Sequence, residues 1–454
     1  METLPEKTEK KWTDNIIVKM ILIAFLILVL MIPSFMVESL VNERSNRKAE
    51  VTNEVSSKWG QLQTITGPYV AIPYLVEIKD PNGKSSEWLE ETLYYFPASL
   101  HVNGELVPVE RKRSIFKVIL YESRLNITGN FKSPDLAQLN VREDQVMWDK
   151  ARLHLAITDL SGIGRLVNLQ LDGSAIPMGA ATPTGLNLTS GLMASMPDTF
   201  NRESFNFSID LDLKGSTGIY FTPVASETKV SLKSTWPSPK FEGNFLPDTS
   251  EVKAAGFSAQ WTILDINRQI AQQWTGTNAP QMGNAVNSRY RDAYAPAHNV
   301  QGPLFGVELL DTVDHYTKNQ RTIKYAFLLI TLTFAIYFFA EVLKRQKVHP
   351  LQYALVGAAL VIFFILLLSL SEHLGFEIAY MTASLATVLL ITFYSRSIFT
   401  ERKYAWLIGG LLSLQFVFIY IILQLEDYAL LAGSITLFVI LAVIMYLTRK
   451  VKWT

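Results

Sequence analysis

Cysteine is absent from all 454 residues. That excludes a thiolate nucleophile, every cysteine-based zinc or iron–sulfur site and any structural disulfide. Histidine is scarce, with six scattered copies, and no HExxH spacing occurs. GxSxG, GxxxxGKS/T, CxxC and GxGxxG are also missing, which removes the hydrolase elbow, the P-loop and the dinucleotide fingerprint. Neither a cofactor nor a catalytic residue is expected from these patterns. Net charge is zero, with 41 bases against 41 acids, so the basic excess that nucleic acid attracts is lacking.

What the chain has is long apolar runs with few charges inside them. A helix of about 20 apolar residues crosses a bilayer core of about 30 Å. Six runs qualify: Ile16–Val37, Tyr325–Leu343, Leu351–Leu370, Ile378–Tyr394, Tyr404–Leu423 and Ala429–Leu447. The first is longer than a signal-peptide core, and no small-x-small cleavage site follows in "PSFMVESL", so it reads as an uncleaved anchor. The chain reads as an integral membrane protein.

In the short connections and at the termini, lysine and arginine lie on one side of these runs, with Arg321 and Lys324 before the second run the exceptions. Lys7, Lys10 and Lys11 precede the first, and Lys344, Arg345 and Lys347 follow the second. Arg396, Arg402 and Lys403 lie between the fourth and fifth, and Arg449, Lys450 and Lys452 follow the sixth. The opposite connections, "SEHLGFE" and "QLEDY", contain none. By the positive-inside rule both termini are cytoplasmic and residues 38–322 lie outside.

That outer segment reads as mostly β. In "FNFSIDLDL", Phe205, Phe207, Ile209, Leu211 and Leu213 alternate with polar residues, the mark of a half-buried strand. Arg152–Thr158, Ile115–Phe131 and Lys229–Leu232 carry similar signals. Asn103-Gly104 between apolar runs predicts a hairpin turn. "SPDLAQLN" predicts a short helix with Ser133 as its cap and Pro134 at its first position. Val51, Val55 and Trp59 recur at helical spacing, as do Leu309, Val313 and Tyr316, predicting helical stalks that continue the first two spans. Pro177–Thr199 and Thr275–Pro303 show no period and read as long loops; Arg289, Tyr290, Arg291 and Tyr294 give the second some binding character.

The expected fold class is therefore an α+β integral membrane protein with six transmembrane helices, one N-terminal and five C-terminal. A large β-rich extracytoplasmic domain is inserted between helices 1 and 2. In numbers, 1–15 is a cytoplasmic terminus, 16–37 the first span, 38–322 the exported domain, 323–448 a five-helix bundle and 449–454 the second cytoplasmic terminus.

One set of ionisable residues falls at the outer membrane surface. Glu372, His373 and Glu377 share one connection and Glu426 and Asp427 the other, while Arg321 and Lys324 enter with the second span. Stranded charges near hydrocarbon are costly, so pairing between these acids and bases is the first expectation. A proton- or cation-handling cluster responsive through His373 is the sharper alternative, and a metal site a third. No charge lies at the middle of spans two to six, which counts against an ion-coupled carrier. Glu341, near the inner end of span two, is expected beside Lys344 and Arg345.

Several blocks carry a family resemblance. They are "SSKWGQLQTITGPYVAIPY" (Ser56–Tyr74), "SLKSTWPSPKFEGNFLP" (Ser231–Pro247), "GFSAQW" (Gly256–Trp261), "FGVELLDTVDHY" (Phe305–Tyr316), "RTIKYAFLLITLTF" (Arg321–Phe334), His349–Phe376, "LQLEDYALLAGS" (Leu423–Ser434) and "TRKVKW" (Thr448–Trp453). In this order they resemble the CreD family of inner-membrane proteins along nearly the whole chain. Ser238 in "WPSP" departs from the histidine associated with the family there. The resemblance implies a bacterial inner-membrane protein whose segment 38–322 is periplasmic, linked to cell-envelope integrity and to an envelope-responsive two-component regulon. It supplies no catalytic residue.

Trp59, Gly67, Pro68 and Pro73 sit where a stalk helix must turn into a strand, and Trp236 and Pro237 at a strand end. Such corners read first as architecture. Their functional alternative is a groove for a peptide, glycan or lipid, with Trp59, Gln63, Trp236 and Trp261 as candidate residues. The expected function is non-enzymatic: an envelope-integrity or stress-response protein, embedded in the lipid bilayer, that binds an envelope protein, lipid or glycan through its exported domain. The alternative is lipid or small-molecule handling where bundle and domain meet, and a hydrolase needs a nucleophile beside a base.

Overall fold

The first apolar run keeps its helical path after its hydrophobicity ends. Helix α1 (Ile16–Trp59) continues through a charged stretch with no breaker until Gly60, whose φ is +151°. A Cβ at Gly60 would stand 2.5 Å from the Lys214 carbonyl oxygen, so only glycine fits. The structure, a computed structural model, describes residues 16–79, 86–186, 188–276, 303–310, 315–344, 346 and 348–424, with 433, 434, 438, 442 and 445 beyond. The chain divides into two compact units, Met1–Arg47 with Val313–Thr454, and Lys48–Thr312.

The helical unit follows the apolar runs. After α1 come α2 (His315–Lys324), α3 (Ala326–Lys344), α4 (Pro350–Leu374), α5 (Phe376–Ile398) and α6 (Arg402–Gln424). Among the described residues four helices are long and apolar enough to cross a membrane, and α2 with α3, bent by 46°, would make a fifth. The expected sixth run, Ala429–Leu447, lies almost wholly outside the described residues. Large apolar side chains point outward along these helices, including Phe25, Leu28 and Ile32 on α1 and Leu385 and Leu390 on α5. That outer surface suits lipid rather than water. Inside, Gly357 gives Leu30 room to pack, since a Cβ there would sit 2.1 Å from Leu30 Cδ1.

The second unit is a β-sandwich. One sheet runs in the order β13 (Pro239–Gly243), β17 (Phe305–Leu309), β11 (Gly218–Phe221), β1 (Gln63–Lys79), β5 (Arg152–Ile157), β9 (Gly191–Ser195) and β8 (Gly179–Ala181). Beside β1 also lies β2 (Ser86–Tyr95), which carries β16 (Gln273–Thr275). The other runs in the order β14 (Thr249–Lys253), β15 (Gly256–Leu264), β12 (Glu227–Ser234), β3 (Ser99–Arg113), β4 (Phe116–Lys132), β10 (Ser204–Ser216), β6 (Asn168–Leu171) and β7 (Ser174–Pro177). One apolar cluster takes side chains from both sheets. β10 places Phe205, Phe207, Ile209, Leu211 and Leu213 in that core, as its alternation predicts.

Four expectations need correction. Asn103-Gly104 is not a turn but the middle of β3, paired on one edge with β4 and on the other with β12. Glycine is there because a Cβ would lie 2.6 Å from Leu232 Cδ2 and 2.7 Å from Leu125 Cδ2. The reversal comes at Ser114–Ile115 instead. "SPDLAQLN" forms turns rather than a helix, and Asp135 Oδ1, not Ser133, accepts a backbone bond from Gln138 at 3.1 Å. Leu309 ends strand β17, so the stalk expected from Leu309 onward does not begin there; the helix starts at His315, and Val313 lies outside the described residues. Pro177–Thr199 is not a plain loop, since it contains β8 and β9. Most of Thr275–Pro303, including Arg289, Tyr290, Arg291 and Tyr294, lies outside the described residues.

Candidate functional site

Local backbone chemistry places the carboxylates at the junction of α4 and α5. α4 stops because Gly375 adopts φ +80°, a setting that residues with side chains rarely take. α5 begins at once, putting Glu377 in its first turn, where a carboxylate complements the positive end of the helix. α2 brings its own polar face to this junction, burying Tyr316, Asn319, Thr322 and Ile323 at helical spacing.

Glu377 is the hub. Lys318 Nζ donates to its Oε1 at 2.6 Å, the Tyr420 hydroxyl to Oε2 at 2.6 Å, and Gln424 Nε2 to the same oxygen at 3.0 Å. Lys318 also lies over the Phe376 ring, 5.4 Å from its centroid. Glu372 accepts the Tyr316 hydroxyl at 3.0 Å, and Asn319 Nδ2 donates to the buried Ser371 Oγ at 2.9 Å. These bonds tie α2 to α4 and α5 and bring α6 in through Tyr420 and Gln424. Such an arrangement can neutralise a carboxylate and fasten helix ends.

Of the residues expected here, Arg321 is half-buried on α2, Lys324 exposed at its last position and His373 exposed at the end of α4. Glu426 and Asp427 lie outside the described residues. The base that reaches Glu377 is Lys318, one turn before Arg321 and outside the set expected from sequence. The Tyr316–Asn319–Ile323 stripe is the signal that could have found it. Among the described residues no three histidine, aspartate or glutamate side chains stand close enough to hold a metal ion.

Glu341 marks a second polar centre. Its Oε1 is ion-paired with Lys19 of α1 and accepts Val348 N–H at 3.1 Å, and its Oε2 accepts the Tyr353 hydroxyl at 3.0 Å. Lys19 also donates to the Val348 carbonyl at 3.1 Å. Lys19 is the base that pairs with Glu341 among the described residues; the side chains of the expected neighbours Lys344 and Arg345 lie outside them. Further into the helices the bonded groups are neutral, with Gln415 Nε2 donating to the Leu329 carbonyl at 2.8 Å and its Oε1 accepting from Thr333 Oγ1 at 3.3 Å.

The sandwich candidates do not form one groove. Trp59 donates to the Tyr121 carbonyl at 3.3 Å beneath Lys214, 4.4 Å from its ring centroid. Gln63 is fully buried and bonds the Asp159 carbonyl at 3.0 Å, the Lys214 carbonyl at 3.1 Å and Asp159 N–H at 3.2 Å. Burial raises the Asp159 carboxyl, but bonds from Ser161 and the Gln61 N–H outweigh it and hold the group below its ordinary value. Trp236 donates to the Leu310 carbonyl at 3.0 Å, while Trp261 is a core residue packed on Phe241 and Phe305, each 5.7 Å away between centroids. Ser238 offers its backbone carbonyl to Leu310 N. Gly67, Pro68 and Pro73 lie within β1, which shifts register between Thr66 and Tyr69.

A family model described as "Inner membrane protein CreD" matches residues 15–454. The chain belongs to the CreD family. The inner membrane protein CreD of Escherichia coli (strain K12) is 29% identical over 434 residues, covering 94% of this chain and 91% of that protein. Among solved structures, a substrate-bound mutant of a zinc metallopeptidase from Deinococcus radiodurans aligns over 38% of this chain and 39% of its own. Its identity is 8% and its TM-score 0.20. Family membership and several apolar helices together make this an inner-membrane-type protein with a large β-rich unit.

Proposed function

We propose that the chain is a non-enzymatic inner-membrane protein of cell-envelope integrity or envelope stress response. It crosses the membrane six times with both termini in the cytoplasm, and its periplasmic sandwich binds an envelope component or partner protein. The observation that carries this reading is the way the candidate polar residues are used. Glu377, Glu372 and Gln63 are each engaged by neighbouring protein groups, which suits fastening more than turnover. Absence of a natural cysteine makes the topology testable by single-cysteine labelling. With a membrane-impermeant maleimide on intact spheroplasts, Ser57→Cys should react and Glu401→Cys should react only after permeabilisation; the reverse pattern overturns the topology. The role itself is tested by deletion. Cells lacking the chain should lose survival under cell-wall or outer-membrane damage and regain it with the full chain, whereas unchanged survival contradicts it.

A second reading, lipid handling, is favoured by one observation. An apolar groove of about 330 Å³ lies between α1 and α4, lined by Leu22, Phe25, Leu26, Pro350, Leu351 and Ala354. Mass spectrometry of lipids retained by the purified protein tests it, and a protein free of co-purified lipid would count against it.

A further inference from the structure

The β3–β4 hairpin ends in "RKRSIFK" (Arg111–Lys117), four bases and no acid in seven residues. Residues 111–115 and 117 are exposed, including Ile115 at 38%. The loop has two residues, and Ser114 holds φ +56°, where glycine or asparagine is more usual. Strand register sets Lys112 directly opposite Lys117, with Arg113 opposite Phe116. Like charges facing across a rung destabilise a hairpin, and an acid at either position would stabilise it. The tip therefore carries an electrostatic cost that a negatively charged ligand would remove.

Nearby acids do not remove it. Arg113 pairs with Glu54 at 2.8 Å and Lys117 lies 4.0 Å from Glu110, both partly exposed contacts of small net value. Among the described residues Lys112 makes no ion pair. The same strand end packs on the last turns of α1, where Arg111 lies 5.3 Å from the Trp59 ring centroid and Arg113 reaches Glu54, five residues earlier.

We propose that this hairpin tip is a docking surface for anionic phospholipid headgroups, with Ile115 entering the interfacial layer. Bases surrounding one exposed apolar side chain match both parts of that interface, phosphate and acyl boundary. A free acidic peptide would satisfy the bases but would leave Ile115 without a role. A protein of the CreD family has a bilayer as its permanent neighbour. Lipid docking at this tip does not depend on the partner-binding role proposed above, which could fail without affecting it.

The test uses the full chain with Ile115→Cys, its sole cysteine, labelled with a bimane fluorophore and placed in nanodiscs. One set contains phosphatidylcholine alone and the other an equal mixture with phosphatidylglycerol. In the anionic discs the label should be shielded from a water-soluble quencher and its emission should shift to the blue. High salt should reverse both effects. Lys112→Glu converts the like-charged rung into an opposite pair, so the fold is preserved while the docked fraction falls, by about fivefold in its ratio to undocked for each base removed. Equal quenching in the two lipids overturns the proposal, as does shielding that survives both salt and Lys112→Glu. Shielding by an added poly-glutamate peptide in neutral discs, with none from anionic lipid, would assign the surface to an acidic protein and also overturn it.

Discussion

Replacing Gln63 distinguishes a binding groove from an internal brace. Its amide makes three bonds, to the Asp159 carbonyl, the Lys214 carbonyl and the Asp159 N–H, at a fully buried position. Gln63→Leu removes all three and leaves their partners without water. At about 1 kcal/mol per net bond, with a surcharge for stranded buried groups, the loss should be about 3 kcal/mol. Gln63→Glu is the sharper variant because it preserves size. It sets a carboxylate oxygen against two carbonyls where an N–H had donated, so it should cost at least as much as leucine. The neighbourhood cannot relax easily, since a Cβ on Gly162 would already meet the Lys214 carbonyl oxygen at 2.2 Å and Gln63 Nε2 at 3.0 Å. The assay is denaturant unfolding of the full chain in detergent, followed through tryptophan emission. Stability within about 0.5 kcal/mol of the parent for both variants, the range of a neutral surface change, would refute the brace and return Gln63 to the groove reading.

Two further outcomes follow from the sandwich. Burial first, and Arg152 second, lower the His154 pKa from 6.5 to about 4, so the unfolded chain takes up a proton that the fold refuses. Stability present above pH 6.5 should therefore fall by about 3 kcal/mol as pH drops toward 4, and His154→Gln should flatten that part of the profile in a pH series of unfolding curves. Gly104→Val should destabilise by about 1–3 kcal/mol through overpacking against Leu125 and Leu232. A thermal melt unchanged from the parent would mean that the two leucines can move aside.

Much of this architecture is written locally. Apolar runs of membrane length and the alternation of Phe205–Leu213 give helices and strands directly, because burial acts on each residue in its own element. Asn103-Gly104 shows where local chemistry loses. Its turn preference is worth less than the ladders on both edges of β3, and the glycine is dictated by leucines from two other strands. Lys19 and Glu341 lie 322 residues apart, so no spacing rule could pair them. Lys318 was hidden for a related reason: it belongs to a short polar helix whose buried face becomes visible only when α4 and α5 stand beside it. Glu372 and Glu377 were legible as a pair in need of partners, whereas the identity of those partners depended on the packing of four helices.

A double-mutant cycle on Lys318 and Glu377, read by thermal stability of the full chain in lipid, shows directly whether the Glu377 cluster fastens helix ends. The side chains are 31% and 45% exposed, so solvent screening limits the coupling to about 1 kcal/mol. Lys318→Glu and Glu377→Lys should each lower the melting temperature, and the swapped double variant should lose less than the two single losses combined, although the Tyr420 and Gln424 bonds to position 377 stay broken. A double variant no more stable than the two losses combined would contradict the fastening role.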